Sequence, residues 1–412
     1  MPVAGVAGVP PSATGRAGPA RLAGRTIVCL SSIDWDFLWQ VHQQIMAALA
    51  AAGSHVLFVE STGVRAPGLS DLPRLWRRLR GGGRGHGPRR RPDNVTVYSP
   101  VVLPFPYLPA ARAVNRPVLE RAIRRGLGPR RDDPRIIWNF LPTPLSRELV
   151  ARLDPALSIF HCVDHLSASS AAAARLAESE ARCFADADLV FVSSHRLAER
   201  ARRHNPHVYL VPAGVDLDRF EGAGDTPVPD DLARLPRPVV GYLGGVHQWL
   251  DEPLLAAVAE GHPEWSVVLV GPRQTAVPRL AALPNVHLLG TRGPDAVPGY
   301  LRGFDVGLVP YRLADYTHHV YPVKLNEYLV MGLPVVSTPL DEITRFNAEH
   351  GGLVSVAGTP DAFASAIAAA LANDDPGAAA ARRAVARRNS WAARIDRMAG
   401  VVADALEARG VN

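Results

Sequence analysis

Short apolar runs rich in β-branched residues recur along this chain, and each is followed by a stretch patterned as a helix. In the first half they are Thr26–Leu30, His55–Val59, Val95–Ser99, Ile136–Phe140, Leu157–His161, Asp188–Ser193 and His207–Val211. In the second half they are Val239–Leu243, Ser266–Gly271, Val286–Leu289, Asp305–Val309 and Leu333–Ser337. Strands that are apolar throughout, rather than alternating, must be covered on both faces, which is the condition of a parallel sheet. Strand–helix–strand crossovers in one sheet wind right-handed, so the pattern predicts doubly wound α/β units.

At 412 residues the chain is long enough for more than one such unit. The stretch 221–238, EGAGDTPVPDDLARLPRP, is rich in Pro, Gly and Asp and reads as a linker. The expected division is therefore a tail over 1–24, a Rossmann-like domain over 25–222, a second over 223–388, and a closing amphipathic helix within 389–412 that starts at a Ser390 cap before Trp391. Residues 1–24 are Ala-, Gly- and Pro-rich and hold no apolar run long enough for a signal peptide. No run of eighteen apolar residues exists, so no membrane-spanning helix is expected. Cys29, Cys162 and Cys183 are an odd, sparse set with no CxxC pair, which argues against a disulfide framework or a thiolate metal site and for a reducing, cytoplasmic setting.

The charge pattern is unusual. Net charge is +6, and every basic residue is Arg except Lys324. Mild basicity suits anionic partners such as nucleotide diphosphates. The segment Arg74–Arg91 carries eight Arg among glycines, which forbid a continuous helix. It reads either as a solvated loop or as an electrostatic contact with anionic lipid, at the inner face of a membrane, or with an anionic acceptor. Nucleic acid is not expected there, because no aromatic residues interleave at stacking spacing.

Chemistry concentrates in Tyr311–Ile343. Pro322 suits the first position of a helix, and helical spacing then puts Lys324 and Glu327 on one face. Lys in a first helical turn opposes the helix dipole unless an anion sits there, in which case free backbone N–H groups and the ammonium converge on it. A diphosphate is the natural anion, and a carboxylate one turn on can accept hydrogen bonds from vicinal ribose hydroxyls. A plain surface Lys–Glu pair has the same spacing.

The run Pro322-Val323-Lys324-Leu325-Asn326-Glu327-Tyr328 with Gly332-Leu333-Pro334-Val335-Val336 resembles the donor motif of GT-B retaining glycosyltransferases, notably family 4. Asp188–Ser194, Val211–Asp216 with Phe220, Gly241–Gly244, Val286–Gly290 and Asp305–Pro310 continue the likeness. Asp34-Trp35-Asp36, His161-Cys162-Val163-Asp164 and Trp249-Leu250-Asp251 are similar to the subgroup named for teichuronic acid biosynthesis. The resemblance implies two Rossmann-like domains facing across a cleft, and transfer of a hexose from a UDP- or GDP-sugar to a carbohydrate or lipid-linked acceptor in cell-surface polysaccharide assembly. It implies no metal and no cofactor.

On the same resemblance, Glu327 binds the ribose and Lys324 offsets the diphosphate. Gly244, Gly245 and Arg273 approach the phosphates. His161, Asp164 and His165, at the carboxyl end of a strand, supply the first domain's groups beside the reacting sugar, and Asp34 and His42 contact the acceptor. Retention by front-face attack needs no protein nucleophile, only positioning and charge stabilisation. This chain also departs from the pattern. His319, with His318 beside it, stands where the family has a second Glu; Gly244-Gly245-Val246-His247-Gln248-Trp249 lacks the usual Arg and Lys; and Ala213 replaces an Asn. Three other readings stay open: a metal-dependent transferase using an Asp-x-Asp pair (Asp34/Asp36, Asp186/Asp188 or Asp216/Asp218), a sugar-nucleotide epimerase of the same fold, and a silent nucleotide-sugar-binding protein. A dehydrogenase is disfavoured because no GxGxxG follows Thr26–Leu30.

Overall fold

The computed structural model describes residues 18–36, 39–61, 93–103, 107–168, 173–222, 226–373 and 375–411. The Arg74–Arg91 segment lies outside them. The chain divides into two compact units, Met1–Pro212 with Arg394–Asn412, and Ala213–Ala393.

The first unit is built on seven parallel strands: β1 (Thr26–Leu30), β2 (His55–Val59), β3 (Val95–Tyr98), β4 (Arg135–Asn139), β5 (Leu157–Cys162), β6 (Leu189–Val192) and β7 (Val208–Leu210). Their order is β3-β2-β1-β4-β5-β6-β7, with Thr26 opposite both His55 and Arg135. The central runs β1, β4 and β5 are fully buried, as continuous patterning requires, while the edge strands β3 and β7 are only partly so. Helices start where the sequence provides caps: Thr143 accepts from Ser146 N ahead of Pro144, and Ser194 accepts from Leu197 N.

Residues 18–22, expected within the tail, form a short 3₁₀ turn instead. The turn is fixed to the closing helix Trp391–Ala408: Gly18 N donates to Asp396 Oδ1 at 2.6 Å, and Arg21 pairs with Asp404 (2.6 Å) and Glu407 (2.9 Å). From Arg394 onward that helix counts with the first unit.

The second unit holds six parallel strands: β8 (Val239–Leu243), β9 (Ser266–Val270), β10 (Val286–Gly290), β11 (Val306–Val309), β12 (Val335–Ser337) and β13 (Val354–Val356). Their order is β10-β9-β8-β11-β12-β13. β13 was not expected from the sequence; its three residues are too few to stand out, and two of them are exposed. Asp251 caps the helix Glu252–Gly261. Pro322 is the cap of the helix Val323–Val330 rather than its first residue. The contact boundary falls after Pro212, ahead of the Pro- and Gly-rich stretch that suggested a boundary at 222/223, because Val215 N and O bond to Asn389 and Trp391 and so belong to the second unit.

Candidate functional site

In the second sheet the strand order reverses between β8 and β11. Open α/β sheets bind ligands beyond the carboxyl ends of the strands at such a point. These two strands pair at Val240/Val306 and Gly241/Gly307 and then part. Tyr328, fully buried on the helix Val323–Val330, fills the gap. Its hydroxyl accepts from Leu243 N (2.8 Å) and donates to Leu308 O (3.1 Å), so neither strand end leaves that group bare. Gly307 is required beneath it, since a Cβ there would lie 2.7 Å from the Tyr328 ring.

Lys324, one turn earlier on the same helix, points inward and is 7% exposed. Its ammonium donates to the Tyr311 hydroxyl and lies 4.7 Å from the Tyr242 ring centre and 4.6 Å from that of Tyr311. Tyr242 in turn donates to Gly245 O at 2.8 Å, tying the ring to the loop that follows β8. Gly244, at φ +140°, brings its backbone against the ammonium. No carboxylate reaches ion-pair distance of Lys324 among the described residues. Buried charges are normally paired, so this one is partnered only by ring faces and a hydroxyl.

Glu327 is half-buried and its carboxylate makes no hydrogen bond among the described residues. Burial raises its carboxyl above the usual range, against the opposing pull of Lys324 and Arg219. Beside the pair, a cavity of about 420 Å³ is lined by His247, Trp249, Gln274, Tyr311, Tyr316 and Thr317 among others. Trp249 stacks on Tyr316 with ring centres 4.8 Å apart. Burial, and then the Lys324 charge, push His247 down to about 4, so its imidazole is neutral at pH 7.

Sequence comparison bears on this unit first. Residues 237–373 match the family described as Glycosyl transferases group 1. The second unit is a glycosyl transferases group 1 domain. The chain is 29% identical over 222 residues to TuaH of Bacillus subtilis (strain 168), whose name assigns it to glycosyl transfer in teichuronic acid biosynthesis. That match takes in 52% of this chain, which spans only 56% of the relative's length. Among solved structures, the sucrose-phosphate synthase of Thermosynechococcus elongatus superimposes with a TM-score of 0.68 over 93% of this chain and 100% of its own, at 18% identity. Anabaena Alr3699/HepE in complex with UDP gives 0.63 over 92% and 99%, at 13% identity. The fold is GT-B, with two doubly wound α/β units.

Within the group 1 domain the expected donor residues gather at the switch point. Gly244 leaves room for Lys324, since a Cβ there would lie 3.1 Å from Lys324 Cε; Glu327 follows one turn on, and a Cβ on Gly245 would lie 3.2 Å from Gln274 Nε2. Arg273 is exposed just past β9, with no ion-pair partner among the described residues; it lines a second hollow, of about 400 Å³. His319 is turned to its own helix, its Nδ1 2.7 Å from Asp315 O, and His318 Nδ1 lies 2.7 Å from Asp341 Oδ1. Sequence reasoning passed over Tyr242, Tyr311 and Tyr328. The available signal was an aromatic hydroxyl at the carboxyl end of two strands and on the donor helix itself.

The first unit corrects one expectation. His161 is 1% exposed, stacks on Phe140 at 4.9 Å, and its Nδ1 accepts from Trp138 Nε1 at 3.3 Å. Burial, reinforced by His42, lowers it to about 3. It is a neutral core side chain, because residues of a strand alternate between faces and position 161 falls on the aromatic one. Asp164, two residues past the strand, is half-buried and lines a separate cavity with His42; His165 is buried beside it. Asp34 is half-buried and its carbonyl accepts from Gln43 Nε2 at 3.3 Å.

Proposed function

We propose that the chain is a glycosyltransferase that moves a sugar from a nucleoside-diphosphate donor, held in the second unit, to a hydroxyl of a carbohydrate or lipid-linked acceptor. One observation carries the reading: the lone lysine of the chain is buried at the switch point with no carboxylate partner among the described residues, and a bound diphosphate is the anion that completes it. The Gly244 backbone lets a phosphate come close, and Arg273 stands free to take a second phosphate oxygen. Glu327, whose carboxylate has no hydrogen-bond partner among the described residues, accepts the two ribose hydroxyls. UDP is the first nucleotide to test, since it is bound in the Alr3699/HepE structure; GDP is the second.

As the bond from the anomeric carbon to the phosphate oxygen breaks, negative charge grows on the departing diphosphate. The Lys324 ammonium is already in place for it, and its fixed position means that no reorganisation is needed as the charge appears. In this reading Lys324 supplies the positive charge that a metal ion supplies elsewhere, and the reaction runs without metal. The leaving phosphate oxygen takes the acceptor proton on the same face, which gives retention. His247, held neutral beside Lys324, and the Trp249–Tyr316 wall line the space open to the sugar. We assign the chain to assembly of a cell-surface polysaccharide or glycoconjugate, on the cytoplasmic side of a membrane that Arg74–Arg91 would contact.

Calorimetric titration with UDP and GDP tests the site. Lys324→Ala and Glu327→Ala are each expected to lose about 1.5–3 kcal/mol of nucleotide binding, the value of one hydrogen bond to a charged group. Unchanged affinity in both variants would overturn the assignment. Product analysis by NMR tests the stereochemistry: the anomeric configuration of the donor must reappear in the product.

A further inference from the structure

The loop after β8 carries no Arg or Lys from Gly244 to Trp249, yet it is held as firmly as a strand. Val246 N donates to Pro272 O (2.9 Å), and Val246 O accepts from Gln274 N (2.8 Å) and Thr275 N (3.1 Å). His247 O accepts from Leu250 N at 2.9 Å, closing a turn, and Leu250 pairs with Tyr311. Trp249 O accepts from Arg312 N at 2.8 Å. The His247 ring is therefore mounted on fixed backbone, with its centre 5.6 Å from that of Tyr311.

Inside this turn the Trp249 N–H donates to His247 Nδ1 at 3.1 Å. A backbone N–H can only donate, so Nδ1 presents its lone pair and carries no proton. The proton of the neutral ring is then on Nε2. A second proton, on Nδ1, would set two N–H groups against each other, so the turn itself disfavours the imidazolium. Burial and the Lys324 charge act in the same direction. Nε2 has no hydrogen-bond partner among the described residues and is not sealed from solvent, and the ring lines the cavity beside Lys324. With its one lone pair occupied, His247 is no base. It offers a fixed, uncharged donor.

Lys324 and His247 share Tyr311 as a neighbour: the ammonium donates to its hydroxyl and the imidazole lies beside its ring. An anion that reaches the ammonium is then within reach of Nε2–H. A neutral donor adds a hydrogen bond there without adding a second buried charge beside the first.

We propose that His247 Nε2–H donates to a β-phosphate oxygen of the bound nucleoside diphosphate. As charge grows on that phosphate during transfer, the hydrogen bond strengthens while its proton stays on Nε2. His247 therefore stabilises the leaving group and does not compete with it for the acceptor's proton. The phosphate contact rests on the donor reading; the tautomer does not.

The test uses the full chain with its histidine rings isotopically labelled. The His247 signals are assigned by their loss in His247→Gln, or in His247→Asn if the first does not fold. In the unliganded protein Nε2 is expected to give the N–H type of nitrogen signal and Nδ1 the lone-pair type. UDP and GDP are then titrated, with UMP and GMP as comparisons that lack the β-phosphate. The diphosphate that binds is expected to shift Nε2, and its monophosphate to leave it in place. By calorimetry, His247→Ala is expected to weaken the diphosphate about tenfold or more, the effect of losing a hydrogen bond to a charged group. His247→Gln, whose amide N–H reaches about as far as Nε2, is expected to recover part of that loss. The proposal is overturned if the proton lies on Nδ1, if the monophosphate shifts Nε2 equally, or if His247→Ala binds the diphosphate as wild type does. A diphosphate that binds without moving Nε2 removes the role of His247 and leaves the donor site standing. Failure of both UDP and GDP to bind removes the donor site, and this contact with it.

Discussion

The side chain of Lys324 stands against the backbone of Gly244: a methyl group placed on that glycine would lie 3.1 Å from Lys324 Cε and 3.2 Å from its Nζ. Gly244 also sits at φ +140°, where side chains are strained. Gly244→Ala is therefore expected to lose about 1–3 kcal/mol of stability through the backbone alone and to displace the ammonium as well. Gly245→Ala meets only the end of the flexible Gln274 side chain, at 3.2 Å, and is expected to be milder. Thermal unfolding and UDP titration of the two variants check this; equal losses would mean that the Gly244–Lys324 approach has no special role.

Lys324→Met separates binding from stability. A buried ammonium without a carboxylate partner carries a desolvation penalty, and an apolar chain of similar length removes it. The unliganded variant is expected to melt at or above the wild-type temperature. The wild type should gain about 2.7 kcal/mol at UDP concentrations a hundredfold above its Kd, and the variant, binding about 1.5–3 kcal/mol more weakly, should gain only about 0.3–1.3 kcal/mol at the same concentration. A variant that melts well below wild type, or that UDP stabilises as much as the wild type, would show that the lysine is a structural element and no phosphate partner.

Every strand of both sheets except β13 was legible in the sequence: the central strands are buried and written as unbroken apolar runs, and the outer strands β3, β7 and β10, only partly buried, still keep a short run that opens on Val between turn residues. The donor helix was legible for a different reason: one Lys among dozens of Arg signals a geometric demand that Arg does not meet, here a compact ammonium beneath two tyrosine rings and against a glycine. The three tyrosines were not legible, since Tyr242, Tyr311 and Tyr328 meet only after β8, β11 and the helix are assembled. His161 was misjudged because a motif places a residue along a strand without stating its face. The tautomer of His247 cannot be read from sequence at all, as it depends on which ring nitrogen the Trp249 N–H reaches.

Tyr328→Phe keeps the ring over Gly307 and deletes only the hydroxyl. Leu243 N–H and Leu308 O then face each other across parted strands with no bridge. Leaving a buried backbone donor unmet is expected to cost about 1–3 kcal/mol, read as a lower urea midpoint. Because Leu243 leads directly into Gly244, nucleotide affinity should fall in the same variant. Gly307→Ala, which would push on the ring from 2.7 Å, should mimic it through overpacking. Full stability and affinity in Tyr328→Phe would show that the two strand ends find other partners.

Acid should unfold the first unit through its buried histidines. Burial holds both His42 and His161 down to about 3, against an ordinary 6.5. Between those values the unfolded chain binds protons at these positions and the folded one does not, so stability rises with pH there. Their contribution is complete above pH 6.5 and is lost as pH falls toward 3, by up to about 1.4 kcal/mol per pH unit for each histidine. Urea midpoints measured between pH 7.5 and 5 fall mostly above the range in which ordinary carboxylates titrate. The slope should be positive there, and His161→Gln, which retains a carbonyl able to accept from Trp138 Nε1, should reduce it by one proton's worth. A midpoint flat over that range, or a slope unchanged in His161→Gln, would mean that the imidazole reaches solvent and is already protonated in the folded state.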